Sequence, residues 1–286
     1  AEFGADDWWF QVWGPEELEE EGIGSSADWV LGKTDADGAL VSDGEESWHS
    51  FGDMAPGFNM LDPINATLIT PGLNIDGRFD ETGIPASIVT KYLAEHGIVV
   101  EKTGQYGFFI MFTIGITKGR WNTLLSALQQ FKDDHAKNQP VWRTMPDFCA
   151  KHPRYERMGL RDLCQHVHAL YAKYDVAILS TDIYLSDHTP AMKPSDAFAH
   201  IAHRTTQRVP IDDLEGRITT SLITPYPPGI PLLVPGEVFN KKIVEYLKFS
   251  REFSRKCPGF ETDIHGLVLE TAEDGTVSYF ADCVAE

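Results

Sequence analysis

Glu101 is the residue whose position in the sequence is chemically most unusual. It lies at the end of a predicted strand, IVVEK, residues 98–102, whose first three residues are apolar and expected to be buried. A carboxylate at the end of a buried strand must reach solvent or meet a cation, because an unpaired buried charge is costly. Glu101 could therefore bind a cationic ligand, or it could pair with Lys102 at the surface, and both alternatives stay open at this level.

A second group of titratable side chains occurs in GFETDIHG, residues 259–266. Glu261, Asp263 and His265 alternate along this segment, so an extended backbone would place all three on one side. The arrangement could form a polar binding surface. The solvated edge of a strand would give the same pattern.

Two histidine pairs raise the question of a metal site. His200 and His203 are one helical turn apart in HIAH, and His166 and His168 lie in HVH. Neither pair has a carboxylate and a third ligand at a known spacing, so we predict surface or core-edge histidines and no metal. The sequence also contains no GxGxxG, GxxxxGK[ST] or GxSxG motif. These patterns thus give no indication of dinucleotide, triphosphate or serine-hydrolase chemistry.

The composition predicts a folded, soluble protein with an acidic surface. Its 286 residues are 42% hydrophobic and 11% aromatic, enough for one large or two ordinary domains. Lys and Arg number 24 against 43 Asp and Glu, a formal charge of −19 that disfavours nucleic acid as a partner. No apolar run approaches the roughly 20 residues that span a bilayer, so no membrane association is expected. The four cysteines form no CxxC pair and predict free, buried thiols in a reducing cytoplasm.

The elements that position these residues are predicted from periodicity and from start and stop signals. Residues 14–60 indicate turns with short edge strands near DWVLGKT and ESWHSF. Up to residue 136 we predict strands at 64–72, 98–102 and 106–115, and helices at 83–97 and 118–136. The predicted buried helix positions are Ile88, Val89, Tyr92 and Leu93, and then Trp121, Leu124, Leu125, Leu128 and Phe131.

A polar break, KNQP at 137–140, is the predicted domain boundary. Beyond it we predict helices at 161–174, 195–204 and 240–255, and strands at 217–224, 231–235, 265–270 and 277–283. Ser195 is expected to cap the second of these helices, and EDG is the expected turn between the last two strands.

The stretch TPYPPGIPLLVPGE, residues 224–237, contains five prolines. Proline fixes φ and removes a backbone donor, so the stretch must follow an extended, bent path. Its apolar residues Ile230, Leu232, Leu233 and Val234 favour burial. We therefore expect a stiff loop followed by a short strand packed beneath another element.

Several segments, taken together, resemble the fold-type I bacterial decarboxylases of lysine, arginine and ornithine, which use pyridoxal phosphate. The matching segments are WHSF, LDPINATLITPG, GIPASIVTKYLAEHGIVVEKTG, FTIGITKGRWNTLLSAL, LEGRI, PYPPGIPLLVPGE and PGFETDIHG, in family order. The resemblance implies an α+β chain, with an aminotransferase-like small domain over 1–138 and the family's C-terminal domain over 139–286. It also implies that the wing domain and the large cofactor domain, whose SxHK segment carries the Schiff-base lysine, are missing. The chain alone is then expected to be inactive.

For the whole protein the resemblance implies decarboxylation of a basic amino acid, in which the cofactor ring accepts the electrons freed as the carboxylate leaves. VVEK looks like the lysine-decarboxylase version of this segment, so Glu101 would bind the distal cation of the substrate. His265 in TDIHG also matches the lysine enzymes, and no catalytic or cofactor-binding residue is expected in this chain. Lysine to cadaverine is the favoured reaction, with arginine and ornithine as alternatives.

The resemblance also implies partners. These would be the protein's own N-terminal and cofactor domains, and further copies in a homodimer or decamer. The alternative to an enzyme is that these two domains form a non-catalytic assembly module.

Overall fold

The computed structural model describes residues 9–12, 30–31, 59–60, 62, 64–74, 76–226, 229–272 and 277–285. The WHSF segment, most of the two predicted N-terminal edge strands, Pro227, Pro228 and the EDG turn lie outside the described residues. Two short strands, β2 (Val30–Leu31) and β3 (Asn59–Met60), pair with each other.

The N-terminal half is built on an antiparallel four-stranded sheet. Its strands are β1 (Gln11–Val12), β4 (Asn65–Ile69), β5 (Lys102–Thr103) and β6 (Gly107–Met111), in the order β1-β4-β6-β5. The predicted strands at 64–72 and 106–115 are confirmed in shorter form. The predicted strand at 98–102 is wrong for residues 98–101, and only Lys102 belongs to β5. The Ile98 amide still donates to the Leu93 carbonyl of the preceding helix, so this segment turns away from the sheet and Val99 is 88% exposed.

Both helices predicted for this half are present, and the first packs against β5 and β6. They are α1 (Ala86–Glu95) and α2 (Lys118–Ala136). The four predicted residues of α1 are all buried. In α2 the prediction fails for Trp121, which is 37% exposed, because residues 117–123 are all exposed and the helix joins the core only from Leu124 onwards.

The C-terminal half is mainly helical. Its helices are α3 (Val141–Thr144), α4 (Pro146–Lys151), α5 (Leu160–Lys173), α6 (Val176–Leu185), α7 (Pro194–His203) and α8 (Lys241–Lys256), with short 3-10 turns at Pro153–Tyr155 and Ile211–Asp213. The three long helices predicted here are confirmed, whereas α3, α4 and α6 were not predicted. Lys193, not Ser195, precedes the first turn of α7, because Pro194 with its fixed φ occupies the first helical position.

Two small sheets complete this half. One has the order β10-β11-β7, from β7 (Thr206–Pro210), β10 (Leu267–Thr271) and β11 (Val277–Val284). The other pairs β8 (Thr224–Tyr226) with β9 (Asp263–His265). The predicted strands at 217–224 and 231–235 are wrong except at Thr224, which begins β8. Residues 217–223 and 231–235 meet other segments only at isolated bridges such as Ile223 with Leu233. All four cysteines are free and buried, as predicted.

The proline-rich stretch is partly as predicted. Its start forms β8, and Leu232 and Leu233 are 1% exposed beneath it. Ile230 and Val234, expected to be buried, are instead 53% and 38% exposed. Proline cannot donate to a strand ladder, which explains why the buried leucines are held by packing and one bridge instead of a strand.

Polar contacts connect the two halves across the predicted boundary at 138. The Glu95 carboxylate of α1 accepts hydrogen bonds from the backbone amides of Asp147 and Phe148 at the start of α4, at 3.2 and 2.7 Å. The Asn138 side chain reaches the start of α5, where its Oδ1 accepts from the Arg161 amide at 3.0 Å. The division into 1–138 and 139–286 stays a prediction, and these contacts fix how its two sides pack.

Candidate functional site

A cavity of about 960 Å³ lies where the two halves of the chain meet. Its N-terminal side comes from the sheet, the loop before β6 and α1, and its C-terminal side from α5, α6, α8 and the segment after α8. The lining residues that carry polar groups are Gln11, Asn74, Ser87, Thr90, Lys91, Thr103, Gln105, Tyr106, Tyr171, Ser180, Tyr184, Tyr246, Glu261 and Thr262. Aromatic and aliphatic side chains, including Phe249, Phe253 and Phe260, form the rest of the wall.

Lys91 is the cation among the described lining residues. Its Nζ lies 5.6 Å from the ring centre of Phe148 and 5.5 Å from that of Phe260, within cation–π range. Burial lowers the pKa of Lys91, Glu261 acts in the opposite direction and Lys151 adds to the lowering. The amine is thus a partly desolvated charge that faces a space large enough for a small molecule.

The tyrosines of the cavity are neutral hydrogen-bonding groups. Burial raises the pKa of Tyr171 to about 12, and it raises the pKa of Tyr106 and Tyr246 still further. Gln105 is fixed between the halves, since its Nε2 donates to the Ser180 hydroxyl at 3.0 Å. The described part of the wall therefore combines fixed neutral donors and acceptors with one cation and one carboxylate.

Tyr106 is held by a buried histidine. His168 is 2% exposed, and its Nε2 lies 3.0 Å from the Asp80 carbonyl oxygen, which can only accept. His168 therefore carries a proton on Nε2, and its Nδ1 accepts from the Tyr106 hydroxyl at 2.7 Å. The prediction of a surface or core-edge position is wrong for His168, because this pair of hydrogen bonds satisfies it inside the core.

The other histidine pair has an ordinary environment. His203 is exposed, and the His200 Nδ1 lies 2.8 Å from the Thr205 hydroxyl. Among the residues that the structure describes, no cluster of three or more histidine, cysteine or acidic side chains could hold a metal ion. In the same part of the chain, no helix is both long enough and apolar enough to cross a membrane.

Glu101 lies beside the cavity but does not line it. Its backbone amide donates to the Phe109 carbonyl at 2.8 Å, at the point where the chain joins β6. Glu101 is exposed, which agrees with the alternative in which its carboxylate reaches solvent. The expectation that the three residues before it are buried is wrong. Two residues further on, Thr103 contributes to the lining. The substrate-binding role of Glu101 stays a prediction.

His265 also lies next to a lining segment without facing the cavity. Asp263 and His265 are exposed while Ile264 between them is 7% exposed, so the predicted alternation is present in β9. His265 Nε2 is 3.0 Å from Asp263 Oδ2, and its ring centre is 4.5 Å from that of Tyr226. Glu261, at the other end of the segment, lines the cavity. Glu261, Asp263 and His265 are all exposed, and of the three Glu261 also lines the cavity.

Sequence reasoning missed Lys91 as a site residue. It lies among the buried residues of α1, and an ordinary solvent-facing lysine of an amphipathic helix would occupy the same kind of position in the sequence. Its contacts with Phe148 and Phe260 come from segments far along the chain, and no local pattern reports them.

The cavity does not fit pyridoxal phosphate. Among the described lining residues Lys91 is the one cation that could pair with a phosphate group, no arginine or histidine accompanies it, and Glu261 would repel that group. The described residues thus offer a place for a small ligand, and this cofactor would have to be held elsewhere.

Two family models define the class of this α+β chain. Residues 3–120 match the major domain of the Orn/Lys/Arg decarboxylases, and residues 177–285 match their C-terminal domain. The chain belongs to the Orn/Lys/Arg decarboxylase family, as the sequence resemblance predicts.

Individual relatives place the chain nearer the lysine enzymes. It is 43% identical to lysine decarboxylase LdcA of Pseudomonas aeruginosa over 98% of this chain and 36% of that protein. It is 38% identical to the inducible lysine decarboxylase of Escherichia coli over 92% of this chain and 35% of that protein. The solved structure of lysine decarboxylase A from Pseudomonas aeruginosa matches with a TM-score of 0.83 and 42% identity, over 99% of this chain and 37% of that one.

More distant members also match. The biodegradative arginine decarboxylase and the constitutive ornithine decarboxylase of Escherichia coli are each 33% identical to the chain. The chain spans about a third of the length of the curated relatives that it matches.

Proposed function

We propose that this chain is the C-terminal part of a pyridoxal-phosphate-dependent decarboxylase of basic amino acids, and that lysine is its substrate and cadaverine its product. The observation that carries the proposal is the higher identity to lysine decarboxylases, 43% and 38%, than to arginine and ornithine decarboxylases, 33% each. Arginine and ornithine are the alternative substrates.

In this proposal Glu101 binds the distal ammonium of the substrate. Its carboxylate is exposed and its backbone is fixed by the hydrogen bond to Phe109. The carboxylate is therefore accessible to the ammonium of a bound substrate. A carboxylate paired with an ammonium forms a strong, charge-assisted hydrogen bond. His265 is assigned to the same substrate-binding surface, where Asp263 orients its ring.

The cofactor is assigned to a part of the protein outside this chain. The misfit of the cavity to a phosphate group supports this assignment, as does the absence of an SxHK segment from the sequence. We expect the isolated chain to form no covalent adduct with pyridoxal phosphate and to be inactive. Borohydride reduction followed by peptide mapping tests this, and a labelled lysine within the chain would contradict it.

The proposal includes an aminotransferase-like small domain over 1–138, the family's C-terminal domain over 139–286, and a homodimer or decamer as the assembled form. It also includes a cytoplasmic location, which the four unpaired cysteines support because disulfides are rare in reducing compartments.

A second candidate function is an assembly module that supplies subunit contacts without chemistry. Exposed apolar side chains on α6 and α7 favour it, since Leu185 is 78% and Phe198 62% exposed. Such side chains can form part of an interface.

The full-length protein that contains this chain distinguishes these possibilities. We expect it to decarboxylate lysine with a higher kcat/KM than arginine or ornithine when the three are assayed under the same conditions. A preference for arginine or ornithine would overturn the choice of substrate. Activity on none of the three, with cofactor bound, would overturn the enzyme proposal in favour of the assembly module.

A further inference from the structure

The cavity between the two halves of the chain carries two opposite charges that do not form an ion pair with each other. Lys91 and Glu261 both line it. Glu261 raises the pKa of Lys91 through space, so the two charges interact. Within the described part of the chain, however, neither residue has an ion-pair partner within 4.0 Å.

Their relative position follows from Phe260. The Lys91 amine lies 5.5 Å from the ring centre of Phe260, and Glu261 is the next residue in the chain. A partly desolvated cation and an exposed carboxylate thus line the same cavity from the two halves of the protein. A ligand that carries both charges would satisfy both groups at once, because each would gain a charge-assisted hydrogen bond.

We infer that this cavity binds a zwitterionic α-amino acid with an apolar side chain, whose carboxylate contacts Lys91 and whose ammonium contacts Glu261. The ligand bridges the two halves through these contacts. This inference goes beyond the proposed decarboxylation and does not depend on it.

The apolar side chain is inferred from the rest of the lining. Phe249, Phe253 and Tyr246 on α8 present aromatic surface to the cavity. Among the lining residues that the structure describes, Glu261 is the single acidic one, so a second ammonium on a basic side chain would lack a partner there. An unpaired charge in a partly buried site is unfavourable.

The size of the cavity fits such a ligand. Its volume of about 960 Å³ lies in the range of small-molecule sites. Fixed neutral groups complete the polar part of the wall, among them Gln105, which Ser180 holds in place. A leucine-sized amino acid would leave room for ordered water beside these groups.

Isothermal titration calorimetry on the full-length protein, with three matched probes, tests the inference. The probes are L-leucine, 4-methylpentanoate, which lacks the amine, and 3-methylbutylamine, which lacks the carboxylate. We expect leucine to bind, and each single-charge probe to bind about tenfold more weakly or worse, because one charge-assisted contact is lost. Absence of leucine binding, or equal binding of either analogue, would overturn the inference. This comparison needs no variant and no decarboxylase activity.

Two variants assign the contacts. Lys91→Met should weaken leucine and 4-methylpentanoate and spare the amine, whereas Glu261→Gln should weaken leucine and the amine and spare the carboxylate. Lys173→Met is the matched control, since Lys173 also lies over an aromatic ring, at 5.1 Å from Tyr174, but does not line the cavity. If the control weakens leucine as much as Lys91→Met does, or if both cavity variants leave all three affinities unchanged, the assignment is wrong.

Discussion

Asn138 occupies the space that a side chain on Gly159 would need. A Cβ on Gly159 would overlap the Asn138 amide, which instead caps the start of α5 from another segment. Asn138 Oδ1 accepts from the Arg161 and Asp162 amides at 3.0 and 3.3 Å, and its Nδ2 donates to the Asp162 carboxylate at 2.9 Å. The segment predicted as a domain boundary is therefore an anchor for the start of α5.

Gly159→Ala should destabilise the protein by about 1 to 3 kcal/mol, because the added methyl displaces the Asn138 cap. Asn138→Gly should cost about 1 kcal/mol through loss of the cap, and glycine tolerates the positive φ of 49° found there. In the Asn138→Gly background, Gly159→Ala should cost much less, since the obstructing side chain is gone. Urea unfolding of the wild type, the two single variants and the double variant measures this coupling. Strict additivity would show that the two residues do not interact.

Glu95→Ala should lower the free energy of unfolding by about 1 to 2 kcal/mol. The Glu95 carboxylate accepts from two amides at the start of α4 that have no partner within the helix, and its charge complements the helix dipole. Glu95→Gln keeps one acceptor oxygen and should cost less. Glu215→Ala, at an exposed position, is the control for loss of a surface carboxylate. Equal melting temperatures for all three variants would contradict the capping role.

Stability should fall as the pH is lowered from about 6.5 towards 4, in part through His135. Burial against Trp9 and Phe131, aided by Arg161, lowers the pKa of His135 from 6.5 to about 4. Between these values the unfolded chain binds a proton that the folded chain does not, so acid favours unfolding. Below about 4 this contribution stays constant. In His135→Gln the loss of stability over this range should be smaller, which denaturant unfolding at several pH values would measure. Identical pH profiles for variant and wild type would refute the assignment.

In the full-length protein, Glu101→Gln should reduce kcat/KM for lysine by about 10- to 150-fold. Loss of a charge-assisted contact typically costs roughly 1.5 to 3 kcal/mol. The absorbance of the bound cofactor and the melting temperature should be unchanged, because the side chain is exposed and its backbone hydrogen bond to Phe109 remains. Unchanged kcat/KM would move the search for the distal-cation site to Asp263 and His265. A large loss of stability would indicate a structural ion pair instead.

The sequence predicts the long periodic elements well. Helices α1, α2, α5, α7 and α8 each begin and end within a few residues of their expected bounds, because their apolar faces and terminal proline or glycine signals agree. The strand at 231–235 is wrong because burial of Leu232 and Leu233 does not require a ladder, and Pro231 and Pro235 exclude one. Of the strand at 217–224 only Thr224 is found, at the start of β8. Helix α6 was missed since it begins after Asp175, which has a left-handed backbone and provides no side-chain cap.

The site is less predictable than the fold. Residues near Glu101 and His265 do approach the cavity, through Thr103 and Glu261. The pairing of Lys91 with Phe148 and Phe260 depends on how α1 packs against the C-terminal half, however, and local patterns carry no information on such packing. The same limit explains His168, whose partners Tyr106 and Asp80 come from the other half of the chain.

The four buried thiols can be used to report local unfolding of the protein. Cys149 lies in α4, Cys164 in α5, Cys257 at the end of α8 and Cys283 in β11. Burial raises the pKa of Cys257 and Cys283 to about 11 and that of the other two as well, so none is a ready nucleophile in the closed state. An alkylating reagent can therefore mark each thiol only when its own element detaches. The order in which the four cysteines are alkylated would show which of these elements unfolds locally first.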